Sequence, residues 1–160
     1  KLIMQVYTNG SITPEEAMAL ANELVASNPS SHTGYYLKGC IELNMLKNYA
    51  GARESFGKAI ELNPSFVDAN VNMAYTFMNE VVARRNNGDW KLDRNNKKEF
   101  DKEFEEIKKY YEQALPYMER AHELVPEQPK VWAAALQQIY TNLQNKEKAD
   151  EMDAILSTAY

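Results

Sequence analysis

The chain has 160 residues, 44% of them hydrophobic, and its 23 acidic residues against 18 basic ones give a net charge of −5. That apolar content can fill the core of an ordinary domain and argues against a disordered chain, while the mixed, mildly acidic charge offers no basic field for nucleic acid or an anionic membrane. No apolar run approaches the roughly 20 residues that span a bilayer, Lys1 to Val6 is too short for a signal-peptide core, and one cysteine, Cys40, permits no internal disulfide. A soluble protein is expected, with the cytoplasm and a bacterial periplasm both open.

From the N-terminus, Ile3, Met4 and Tyr7 supply only about two helical turns before the turn at Asn9-Gly10-Ser11. The first helix therefore reads as truncated, the chain as a piece of a longer protein, and 1–30 as a partial first repeat. Asn9-Gly10-Ser11 also fits the glycosylation tripeptide, but a plain turn explains it. The next helix starts with Thr13 at the N-cap and Pro14 at N1, with Glu15 and Glu16 in its first turn. Three dipeptides then punctuate helix-period stretches: Asn28-Pro29, Asn63-Pro64 and Val125-Pro126. A repeat of about 34 residues fits both intervals, provided the longer one carries an insertion of about 28. The predicted units are 31–65, 66–127 with the insertion at about 80–107, and 128–160.

Side chains repeat with the same spacing. Tyr49, Ala52, Phe56 and Ala59 precede Pro64 as Tyr111, Ala114, Met118 and Ala121 precede Pro126, with a weaker copy at Ala17, Ala21 and Leu24 before Pro29. Small residues at these places let two helices approach closely, and the large ones fill the remaining space. Preceding helices show a matching frame: Tyr36, Gly39, Cys40, Leu43; then Asn70, Met73, Ala74, Phe77; then Trp132, Ala135, Leu136, Ile139. The last second helix, around Ala149, Met152 and Leu156, is looser.

These frames resemble the tetratricopeptide-repeat (TPR) family, best over Tyr49 to Pro64 and nearly as well over Tyr111 to Pro126. The resemblance implies an all-α, right-handed superhelical solenoid of about four helix-turn-helix units. It also implies a protein-protein interaction module that binds a peptide or partner protein in a concave groove, with no catalytic chemistry and no cofactor. By the same resemblance the groove residues are Leu37, Lys38, Ile41, Asn44 and Met45; Asp68, Val71, Asn72, Tyr75 and Asn79; and Lys130, Ala133, Ala134, Gln137 and Tyr140. TPR domains that hold carboxy-terminal chaperone tails clamp carboxylates with Lys, Asn and Arg. Only Asn72 and Lys130 match that pattern, while Leu37, Ile41 and Ala134 stand elsewhere in it, so this ligand is rejected in favour of a peptide with apolar side chains. A further similarity is to TPR proteins of bacterial cell envelopes, where helical insertions and second helices like ALPYMERAHELVP occur. The alternatives are a scaffold that contacts partners through the inserted hairpin, or a fragment packing on the rest of a larger parent.

In the insertion, the first helix runs on through Arg85 to a turn at Asn86 to Asp89. Phe100, Phe104, Ile107 and Tyr111 then join the stripe of the following helix, expected over about 96–125 with a kink at Pro116. Trp90 and Leu92 at the hairpin tip are expected to plug the open end against Val82, Phe100 and Phe104, the other reading being an exposed anchor for a partner. Asp101, Glu103, Glu105 and Glu106 interleave with lysines and read as a solvated face. Residues Asp89 to Asn96 lack the glycine and distal glutamate of a calcium loop. Cys40 reads as a buried structural thiol, and His32 and His122 as packing or solvated residues, so no catalytic or metal site is predicted.

Overall fold

The computed structural model describes residues 12–158. Among them are seven helices and no strand: α1 (Pro14–Ser27), α2 (His32–Asn44), α3 (Tyr49–Leu62), α4 (Val67–Asn86), α5 (Lys97–Leu124), α6 (Pro129–Asn142) and α7 (Lys146–Thr158). Ile3, Met4, Tyr7 and the tripeptide Asn9-Gly10-Ser11 lie outside the described residues. The chain divides into two compact units, Lys1–Met73 and Ala74–Tyr160.

Each predicted proline turn has the same backbone. Asn28, Asn63 and Val125 cap their helices at φ/ψ −140/77°, −144/89° and −137/61°, and each cap N–H donates to the carbonyl four residues back, at Leu24, Ala59 and Ala121. The following proline disfavours the helical conformation at these residues, which ends each helix at that point. Turns inside the helix pairs repeat as well. Lys47 (φ 53°) and Gln144 (φ 59°) occupy the left-handed region, and the asparagine after each accepts a free N–H in the first turn of the next helix, Asn48 from Gly51 at 3.0 Å and Asn145 from Lys148 at 3.2 Å. Thr13 caps α1 by reciprocal bonding: its hydroxyl accepts from the Glu16 N–H (3.2 Å), and the Glu16 carboxylate accepts from the Thr13 N–H (2.9 Å).

In the first unit α1 packs on α2 and α2 on α3. Ala52, Phe56 and Ala59 are fully buried at 0% exposure. Gly39 lies so close to Phe56 that a methyl group there would sit 2.7 Å from two ring carbons. In the second unit α5 packs on α6 and α6 on α7, with Ala114, Met118 and Ala121 equally enclosed. Phe77 stacks on Tyr117 (6.4 Å, 17°), and farther along α4 Arg84 donates to Tyr110, farther back along α5, so the two helices run antiparallel in steady register. Pro116 sits in an unbroken α5, on an exposed position. At 28 residues, α5 is roughly 42 Å long.

Ala52→Leu is expected to overpack this contact and cost about 1–3 kcal/mol, whereas Glu105→Ala, on an exposed position, should change stability by less than about 0.5 kcal/mol. Urea melts followed by circular dichroism check the difference, and equal losses would show that the contact register is wrong.

Candidate functional site

The residues predicted to line a groove fall into two groups. In α2, Leu37 (9% exposed) and Ile41 (2%) are buried, Lys38 is half-buried, and Asn44 is exposed. Ile41 turns toward α1, where it forms a buried cluster with Ala17 and Ala21, and Met45 packs on the same cluster. In α6, Ala133 (0%) and Tyr140 (5%) are buried, and the Tyr140 hydroxyl donates to Glu119 at 2.7 Å. Burial and the adjoining Glu119 carboxylate push the Tyr140 phenol up. Lys130 and Ala134 are exposed, while Gln137 borders a shallow cleft beside α7.

By contrast, all five predicted positions on α4 stay accessible. Asp68 and Asn79 are exposed, and Val71, Asn72 and Tyr75 are half-buried. Their spacing of three, four and seven residues sets them in one stripe along the helix. The Asn72 amide donates to the Tyr36 hydroxyl (3.2 Å) and lies 3.7 Å from the Cys40 sulfur, which fixes one edge of the stripe. Burial raises the Cys40 pKa, so the thiol is poorly ionised and a weak nucleophile. Both histidines meet aromatic rings, His32 edge-on to Phe66 (5.1 Å, 82°) and His122 tilted against Trp132 (3.8 Å, 30°).

At the hairpin tip the structure revises the predicted packing. Trp90 is 4% exposed, its ring partner is Tyr110, and Val82 stays 49% exposed. Its indole N–H donates to Glu106 (3.0 Å), the Arg84 guanidinium lies 4.4 Å from its ring centre, and Tyr110 meets it edge-on at 6.1 Å. Glu103, read from the sequence as solvated, is 7% exposed. Its carboxylate accepts the backbone N–H groups of Lys91 (3.1 Å) and Leu92 (2.7 Å). The correction has a physical cause: Lys91 and Leu92 lie between the helical bonds that end α4 and those that start α5, so their N–H groups need another acceptor, and Glu103 supplies both oxygens. Arg84 also binds Asp89 at 2.7 Å, closing the tip. One feature in the sequence bore on this: Glu103, Glu106 and Tyr110 recur at helical spacing opposite the only large apolar residues of the tip. Leu92 (φ 49°) lies on the predicted side, lining a cavity of about 280 Å³ together with Phe100, Phe104 and Ile107. Arg85 and Arg94, which the sequence did not single out, border that cavity.

No described helix is long and apolar enough to cross a membrane. Among the described residues, no cluster of three or more His, Cys, Asp or Glu side chains could hold a metal ion. Helix pairs joined by recurrent turns, with small residues buried between them, define a TPR-like helical-repeat fold. No protein-family model matches the sequence, and no curated protein matches it significantly. Among solved structures, one crystal structure of the MamA protein aligns with a TM-score of 0.64 at 15% identity, covering 96% of this chain and 65% of that one. A second MamA crystal structure aligns at 0.57 and 16% identity, covering 90% of this chain and 71% of its own. The chain thus spans just under two thirds of the first of these neighbours, and the likeness is one of fold.

Proposed function

We propose that the chain is a non-catalytic interaction module, built of repeats at 31–65, 66–127 and 128–160 after a partial first one, that binds a peptide or protein segment along α4. The observation that carries this reading is the accessible stripe Asp68, Val71, Asn72, Tyr75 and Asn79, which stays open where the equivalent apolar positions of α2 and α6 are largely buried. Val71 and Tyr75 offer apolar contact, and the flanking Asp68, Asn72 and Asn79 offer hydrogen bonds. This is the composition of a peptide-binding helix face. The TPR-type fold supports a binding or scaffolding role, since such repeats present first-helix faces to partners.

A photo-crosslinking residue placed at Tyr75, and separately at Glu105 as control, tests the reading in extracts of the source organism. A saturable adduct specific to position 75 that is lost on Val71→Asp is the expected outcome. Identical adducts from both positions, or indifference to Val71→Asp, would remove α4 as the binding surface.

A further inference from the structure

Beside the hairpin tip, wholly within the second unit, lies the cavity of about 280 Å³ that Leu92 lines. Its floor is apolar. Phe100 and Phe104 stack in parallel (6.2 Å, 5°), both remain half-exposed, and Ile107 is buried beneath them. Its borders are cationic, formed by the exposed Arg85 of α4 and the exposed Arg94 of the tip loop. Neither arginine makes an ion pair among the described residues, although Arg84 and Arg120 each pair with a carboxylate in a chain with more acidic than basic residues. A guanidinium donates strongly to a carboxylate in bidentate geometry.

The two arginines are spread along the cavity. Arg85 follows Arg84, which bonds Tyr110, whereas Arg94 precedes the α5 N-cap Asn96 by two residues and so lies toward the Phe100 end. Along α5 these ends are roughly 16 Å apart at 1.5 Å per residue. Two guanidiniums at one cavity can each hold a carboxylate. The volume sits just below the roughly 300 Å³ at which small-molecule pockets begin, and it suits one anchoring side chain. The wall is also preformed, because Glu103 holds the backbone of Lys91 and Leu92.

We infer that this cavity docks an acidic peptide segment in which one large apolar side chain is flanked on both sides by glutamate or aspartate: the apolar residue enters over Phe100 and Phe104, and the flanking carboxylates reach Arg85 and Arg94. The site is independent of the α4 stripe proposed above.

The test is fluorescence anisotropy of the whole chain with a labelled peptide, acetyl-Gly-Glu-Glu-Phe-Glu-Glu-Gly-amide. Saturable binding that weakens with added salt is expected. Substituting glutamine for the peptide's glutamates, alanine for its phenylalanine, or making Arg85→Gln with Arg94→Gln should each weaken it about tenfold or more. Both arginines are exposed, so the double variant should keep the native melting curve and the Tyr75 crosslink. Leu92→Glu, which places a negative charge in the cavity mouth, should weaken binding as well. No saturable binding up to millimolar peptide overturns the proposal, as does equal binding of the glutamate and glutamine peptides or indifference to the double arginine variant. Equal binding of a peptide whose only carboxylate is its C-terminus would overturn the two-sided arrangement and assign the site to chain ends.

Discussion

Phe56→Ala is expected to cost the first compact unit about 3–5 kcal/mol, and Gly39→Ala about 1–3 kcal/mol, although glycine to alanine in an open helix stabilises by about 1 kcal/mol. The two effects share one contact. Phe56 is fully buried between Ala52 and Ala59, with Tyr36 on another side at 5.8 Å between ring centres. The Cβ that alanine adds would stand 2.7 Å from the ring at two carbons and 3.0 Å at a third. The ring has nowhere to retreat, so the clash outweighs the gain in helix propensity. Combining Gly39→Ala with Phe56→Leu should cost less than the sum of the two single changes, since a smaller side chain leaves space for the methyl. Chemical denaturation of the four proteins measures the cycle. A Gly39→Ala protein more stable than the native one would show that close approach at this point is unimportant.

The second large effect is expected at the hairpin tip, where Trp90→Ala should cost about 3–5 kcal/mol. Trp90 anchors the loop through its indole bond to Glu106 and its contact with Arg84, which itself reaches Asp89 and Tyr110. Removing the ring leaves a cavity and frees that guanidinium, so the loop should fray while α6 and α7 keep their packing. In a Trp132→Phe background, native Trp90 should fluoresce at short wavelength and resist acrylamide quenching. Glu103→Ala should shift the emission to the red, because Lys91 and Leu92 lose their shared acceptor. Red, freely quenched emission from the otherwise unaltered protein would contradict the buried tip.

Helix pairing was legible because its signals are local. A proline after Asn28, Asn63 or Val125 constrains the preceding residue, and alanines four and seven residues apart mark close helix contact whatever surrounds them. The long α4 and α5 followed from the phase of Phe100, Phe104, Ile107 and Tyr111. Burial along the first-helix faces was not legible in the same way. Ile41 occupies a predicted groove position, yet neighbouring Ala17 and Ala21 are small enough for α1 to close over it. Glu103 and Glu105 are identical in type and near in sequence, and only the path of the loop decides that one turns inward and the other stays in water. Arg85 and Arg94 come together at one cavity through the fold of the tip, which no spacing rule encodes.

The proline turns before α4 and after α5 have the same backbone as the turn before α2, where no insertion follows. All the added length enters at the connection inside one helix pair, between Asn86 and Lys97. The connections at Met45–Asn48 and Leu143–Asn145, in the other pairs, stay short. A pair can thus lengthen outward by whole helical turns without changing the joints to its neighbours, much as an arm can be fitted to a frame at a single socket. The tip can therefore be shortened or rebuilt with both proline turns left in place.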